Sequence, residues 1–412
     1  MEYVFYFDES FHDRKIVIAE DGTINTLRQN AIDDYVGVFW GCKRANLDKY
    51  AEELTTFESH YRTVFGLPAD KELKSEIIKL KNYQYGIRSL NKNAMDFYFD
   101  LFEMLAHWEF IMQINIVSKV EILVRSALQS IVFPFFANKN SFIYSLTKLI
   151  VVHRPKQLLE ALEVAANGGD PQEFRNTLLE TLRALNEASE GVARKEKSIE
   201  AFTEMCYIVE AMSFNITPSI KTDFFYSINF DGISRLLNEL NIRSKNVKIT
   251  IDMEANTFKA AQEYRFGRVK QRKSDCSIQL RLADLLSGFI GRMIYAMTHD
   301  ESTREIALED YSTIDIEDIK KKRLLNPKWF ELTERHFDLY KLIYQVLIEQ
   351  HSHYWTTLTL AYNDDALCFY ALLRHVANYP TYQDFIAVPA ELHSEYYNSR
   401  AVDELAEYYQ SL

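Results

Sequence analysis

The run Tyr3-Val4-Phe5-Tyr6-Phe7-Asp8 sets the first constraint on the fold. Its aromatic and β-branched residues leave no polar side, so it reads as a buried central strand that needs covering layers on both faces. Sparse punctuation allows those layers to be helical. Only 12 glycines and 8 prolines interrupt 412 residues, which leaves room for long helices and excludes a turn-rich all-β sandwich or a collagenous chain.

Further along, Lys15 to Ala19 reads as a second strand closed by an Asp21-Gly22 turn, and Tyr35 to Cys42 as a third, suggesting an antiparallel meander. Asn46 has the chemistry of an N-cap for a helix running to about Val64. Met95 to Trp108 has helical periodicity, and Phe110 to Val117 reads as a strand. From Glu121 to about Asn241 the pattern is helical, with breaks expected at Phe133-Pro134, Arg154-Pro155 and Asn167 to Pro171. Val247 to Asp252 alternates cleanly as a strand, a helix follows from about Ile278 to Met297, and the tail from Pro327 is helical again. The expected fold is therefore α/β, a mixed sheet flanked by helices, with a large helical insertion and a helical C-terminal extension. Its segments are 1–118 and 244–300 for the two parts of the core, 119–243 for the insertion and 301–412 for the extension.

Lys+Arg 47 against Asp+Glu 59 gives a net charge of −12, which excludes a general nucleic-acid coat and an anionic membrane surface but permits a local basic groove. The cysteines Cys42, Cys206, Cys276 and Cys368 form no Cys-x-x-Cys pair. The first residues carry no leader pattern, and no apolar run reaches about 18 residues. A cytoplasmic protein with no membrane partner is expected.

Four carboxylates stand where acids are costly. Asp8 and Asp252 each end a buried strand, Asp284 interrupts an apolar helix, and Glu72 follows the Gly66-Leu67-Pro68 break. Taken singly, each also fits a cap, a turn or an ion pair. Together they could hold one or two hard divalent cations, Mg2+ or Mn2+. Two such ions about 3.5–4 Å apart clamp a scissile phosphate and activate water.

The segments Asp8-Glu9-Ser10, Glu72-Leu73-Lys74, Ile251-Asp252 and Leu282-Ala283-Asp284-Leu285 resemble, in order, the signature motifs of the domain of unknown function 3800 family. The resemblance spans about residues 3–295 and implies a ribonuclease H-like core. It also implies a metal-dependent nuclease of the kind often encoded near mobile-element or phage-defence genes. It makes Asp8, Glu72, Asp252 and Asp284 the catalytic metal ligands, with Glu9, Ser10, Lys74 and Arg281 auxiliary. Two positions depart from the family pattern: Phe11 stands where glycine usually follows, and Gln279 lies further from Ala283-Asp284 than the family's glutamine.

Tyr264 to Lys273 carries Arg265, Arg268, Lys270, Arg272 and Lys273 without an acid, and links two of the four motifs. It reads either as a solvated loop or as a phosphate-binding segment, with Tyr264 or Phe266 available to stack a base. Arg281, one turn before Asp284, is placed to pair with it or to reach a phosphate. His351 and His353 read as a surface pair. The aromatic stripe Trp329, Phe330, Phe337, Tyr340, Tyr344 and Tyr354 reads as helix packing or an oligomer interface. The alternative to a nuclease acting on DNA or RNA is a catalytically silent scaffold that binds a protein partner through its helical regions.

Overall fold

A computed structural model describes residues 2–11, 33–68, 71–129, 131–192, 195–214, 226–300, 324–351, 356–357 and 360–410. The expected strand Lys15–Ala19, its turn, His353 and Tyr354 lie outside the described residues. In chain order the elements are β1 (Tyr3–Ser10), β2 (Asp34–Lys43), α1 (Leu47–Val64), α2 (Lys92–Ala106), β3 (Ile111–Ser118), α3 (Lys119–Ala127), β4 (Ile131–Val132), α4 (Lys139–His153), α5 (Lys156–Ala166), α6 (Pro171–Glu187), α7 (Glu196–Ala211) and β5 (Ser213–Phe214). They continue with α8 (Ser227–Glu239), β6 (Val247–Ile251), α9 (Ala255–Gln262), β7 (Arg268–Gln271), α10 (Ile278–Thr298), α11 (Glu334–Tyr344), β8 (Thr356–Thr357), α12 (Asp364–Ala377), α13 (Tyr382–Ile386) and α14 (Ala390–Gln410).

The main sheet is mixed, with strand order β7-β6-β1-β2-β3-β8. β1, β2 and β3 run antiparallel in sequence order, while β6 lies parallel to β1 and β7 parallel to β6. The aromatic run is thus central, as its composition requires. A parallel neighbour cannot be reached by a hairpin, so the chain travels through α1–α8 before β6 returns beside β1.

Strand alternation divides the core. Val4, Tyr6, Val36, Val38 and Trp40 pack on one face with α1, α2, α10 and the C-terminal helices. Phe5, Phe7, Phe39, Ile249 and Ile251 pack on the other with α8 and α9. α10 runs through the larger layer, where fully buried Phe289 meets the rings of Tyr98 and Phe102 at 4.7 and 5.2 Å. Helices α3–α7 share a separate apolar cluster. Within it the breakers act as expected: Arg154 closes α4 in the left-handed region, Pro155 precedes α5, and Asp170 caps α6 ahead of Pro171. Among the described residues here, the strand pairing is the two-residue β4–β5 ladder.

Some expectations are corrected. Asn46 precedes α1 but makes no capping bond, because a 3₁₀ turn over Arg44–Asn46 already leads into the helix. α2 begins earlier than Met95, at Lys92, where Asn91 accepts from the Ala94 amide. His351 is buried and bonds the Val346 carbonyl oxygen at 2.7 Å, so it is no surface residue. Trp329, Phe330, Phe337 and Tyr340 are buried in the helical core, which makes the stripe packing. No helix among the described residues is long and apolar enough to cross a membrane.

Gly41 lies opposite Phe5, and a Cβ there would overlap the Phe5 ring and come within 2.6 Å of the Val4 carbonyl oxygen. We expect Gly41→Ala to lower stability by about 1–3 kcal/mol, the usual range for overpacking. An unchanged urea midpoint would contradict this central packing.

Candidate active site

Phe7 and Ile251 are the last partners in the parallel β1–β6 ladder, so Asp252, just past β6, comes beside Asp8, which does not end its strand as expected but stays paired with Val38 of β2. Asp8 follows Val4 and Tyr6 by alternation and therefore faces α10. α10 presents Asp284 and Ser287 to it, and the Ser10 and Ser287 hydroxyl oxygens lie 2.9 Å apart. The segment after α1 completes the arrangement. The Ser75 amide donates to Asp284 Oδ2 at 2.7 Å and its hydroxyl to Oδ1 at 3.1 Å. Lys74 Nζ lies 3.4 Å from Glu72 Oε2, which also accepts from Ser274 Oγ at 3.1 Å.

The electrostatics tie these groups into one neighbourhood. Asp8 keeps some accessible surface, yet desolvation pushes its carboxyl well above the ordinary range, and Asp284 and Asp252 push it further. Desolvation also raises Asp284, against the bonds from Ser75 and the positive charges of Lys74 and Arg292. Lys74 is raised: its desolvation acts downward but is outweighed by Glu72, Asp284 and Asp252. All four expected carboxylates therefore influence the Asp8–Lys74 region. No three His, Cys, Asp or Glu side chains among the described residues already surround one point as a metal would require. The donors do fit a hard cation in kind, being carboxylate oxygens with negative charge in excess at Asp8.

The auxiliary residues divide. Ser10 bonds at the strand end, as expected, and Lys74 lies among the acids. Glu9 turns to the opposite face, where Tyr35 donates to it at 2.6 Å and Asn229 donates to Tyr35 at 2.7 Å. Desolvation raises its carboxyl to about 7, against the Tyr35 bond and with Glu254 and Asp252. Arg281 does not pair with Asp284. It binds Glu58 Oε2 at 2.7 and 3.0 Å and the Ser274 carbonyl oxygen at 2.7 Å, because a recessed acid on α1 is closer to hand. Arg281 thereby braces the turn whose Ser274 holds Glu72.

The basic linker is not a plain loop, since Arg268–Gln271 forms the edge strand β7. Tyr264 and Phe266 are not offered to a base. They pack with Phe230, and the Tyr264 hydroxyl donates to Asp231 and to the Ser227 carbonyl oxygen. Arg265, Arg268, Lys270, Arg272 and Lys273 are all exposed. Desolvation and then Arg272, Arg268, Lys248 and Arg44 push the Lys270 ammonium down, the signature of crowded positive charge. Val269 packs toward α8 and α9, so Arg268 and Lys270 share Asp8's sheet face.

Sequence reasoning missed Ser75, Ser274, Ser287, Arg44, Lys248 and Arg292. Arg292 had a signal: it is the arginine two turns beyond Asp284 in an apolar helix, with Gly288 midway. The serines had none, since their partners lie 202 to 277 residues away.

Glu9 yields a pH test. Its folded-state value lies above the ordinary 4.5, so its contribution to stability is complete below about 4.5 and is lost as pH rises through about 7. We expect roughly 3 kcal/mol of stability to fall away over that window, and Glu9→Gln to flatten the loss. Urea unfolding at pH 5 and pH 8 measures both; parallel pH profiles would reject the assignment.

Compared with family models, with curated proteins and with solved structures, the chain matches none.

Proposed function

We propose that the chain is a divalent-metal-dependent nuclease with a ribonuclease H-like core. In this reading Mg2+ or Mn2+ is held by Asp8, Glu72, Asp252 and Asp284. The observation that carries the reading is Asp8: a desolvated carboxyl on the central strand where the β1–β6 ladder ends, driven up by Asp284 and Asp252 from two distant parts of the chain. Such a group opposes folding when ionised, and a bound cation would offset that cost. The sheet order supports the reading as well, since an antiparallel β1–β2–β3 meander continued by parallel β6 and β7 is the order a ribonuclease H-like core would have.

The cation supplies polarisation of the phosphoryl oxygen and a water acidic enough to attack at neutral pH. The chain's own residues do the rest. Ser75 fixes the orientation of Asp284 through two hydrogen bonds, and Ser274, braced by Arg281, fixes Glu72. Lys74 keeps its charge beside the acids and offers a donor to a phosphoryl oxygen. Arg268 and Lys270 on the edge strand, with Arg272, Lys273 and Arg265, would hold the nucleic-acid backbone on the same sheet face.

The test incubates purified protein with DNA and RNA under Mg2+, Mn2+ or chelator, beside Asp8→Asn. Metal-dependent cleavage lost in Asp8→Asn is expected; cleavage that persists in chelator rejects the mechanism. In chelator at pH 7 the same variant should be more stable than wild type, because it removes a carboxyl with a raised value. A variant that binds nucleic acid as wild type does, with cleavage absent from both, would favour the silent-scaffold reading. Arg268→Ala with Lys270→Ala should weaken nucleic-acid binding and reduce its log-salt slope by roughly 1.4 to 1.8 if each side chain meets one phosphate. An unchanged slope in a filter-binding series would remove these two from the interface.

A further inference from the structure

Arg292 is 7% exposed, and its Nη1 is buried without a hydrogen-bond partner. A guanidinium withdrawn from water with an idle donor is an anomaly, because buried polar groups are ordinarily paired. It stands two turns after Asp284 on the same stripe of α10, and its positive charge draws the Asp284 value down. Gly288 lies between them. A Cβ at that position would overlap both Arg292 Nη1 and the Cβ and Oγ of Ser75, the residue that holds Asp284. The missing side chain therefore lets Nη1 and Ser75 close in on one point of α10 beside Asp284. Phe11 closes the other side: its ring lies 5.7 Å from the guanidinium and against Gly291. Its backbone sits at φ 62°, in the left-handed region that favours glycine. A strained aromatic residue thus lies over an arginine that has a donor to spare.

We propose that Arg292 is the anion anchor of this site and donates Nη1 to a phosphoryl oxygen of the bound substrate or product. The inference rests on the metal-dependent nuclease reading and names a contact which that reading does not contain. Charge balance points the same way. Two divalent cations would neutralise the four carboxylates Asp8, Glu72, Asp252 and Asp284, leaving Lys74 and Arg292 as positive charge for a phosphate group to meet. Arginine suits the role because its rigid fork matches tetrahedral oxyanions and it stays protonated even where desolvated.

The experiment uses the full chain with saturating Mn2+ and titrates inorganic phosphate by calorimetry. Wild type is expected to bind phosphate, Arg292→Gln to lose at least tenfold in affinity, and Arg292→Lys to lie between. Mn2+ affinity is expected not to fall in either variant, since Arg292→Gln only removes a positive charge from beside Asp284. Equal phosphate affinity in wild type and Arg292→Gln overturns the anchor, as does a wild type that takes Mn2+ but not phosphate. Loss of Mn2+ binding in Arg292→Gln also overturns it, because the arginine would then act only by shaping the acids. If Arg292→Gln does not fold by circular dichroism, Arg292→Lys decides, and phosphate affinity equal to wild type rejects the proposal. A second variant, Phe11→Gly, relieves the strained backbone and uncovers the guanidinium; it should bind phosphate more tightly, and weaker binding counts against the anchor. A wild type that binds no Mn2+ rejects the nuclease reading and this inference together.

Discussion

Asp8 and Asp284 set two carboxylates against each other where the β1–β6 ladder ends, and desolvation raises both. Like charges so placed oppose folding, because each ionised form is disfavoured by the other and by the loss of water. The surrounding residues answer that repulsion. Ser75 supplies two donors to Asp284, and Lys74 and Arg292 supply positive charge. Among the described residues none of them forms an ion pair with Asp8, whose Oδ1 accepts from the next amide, Glu9 N, at 2.8 Å. Negative charge therefore remains in excess at the strand end, and the nuclease reading draws its force from that excess.

The site is coupled to the bulk of the core because α10 serves both. One stripe of the helix carries Asp284, Gly288 and Arg292, while Leu285, Phe289 and Met293 lie in the main apolar layer. Deleting a buried aromatic side chain such as Phe289 costs about 3–5 kcal/mol and leaves a void that the helix can shift to fill. Any such shift moves Asp284 relative to Asp8. Conversely, Gly288 and Gly291 weaken α10 by roughly 1 kcal/mol each relative to alanine. That cost is tolerated because Ser75, Arg292 and Phe11 occupy the space a side chain would have taken.

Much of this was legible in the sequence because it is local. The apolar run through Phe7 and the alternation of Val247 to Ile251 identify β1 and β6, and their final acids mark one edge of the sheet. Arg154, Pro155, Asp170 and Pro171 mark helix ends because caps and breakers act within a few residues. What could not be read depends on long-range approach. The choice of Glu58 over Asp284 as Arg281's partner is set by how α1 lies against α10, at a separation of 223 residues. The edge strand β7 was hidden because four residues rich in Arg and Lys have little strand propensity of their own; pairing with β6 supplies it. Tyr264 and Phe266 had the composition of a stacking platform, and only the position of Phe230 shows them half-buried against the core.

Net charge was a weak guide to the surface beside the site. At −12 the whole molecule repels polyanions at long range, but exposed charges more than about 8 Å apart are largely screened at physiological salt. The local field decides there. Desolvation lowers Lys270, the charges of Arg272, Arg268, Lys248 and Arg44 add to it, and Lys248 is engaged by Glu2. This basic patch lies on the face of the sheet that also carries Asp8, with the acids at the ends of β1 and β6 and the arginines and lysines toward β7. A polyanion arriving along β7 would meet attraction first and the carboxylates second, and the carboxylates would repel it unless cations had already neutralised them. In the proposed nuclease, metal loading and polyanion binding would be coupled by charge: each would strengthen the other, by the same factor in both directions.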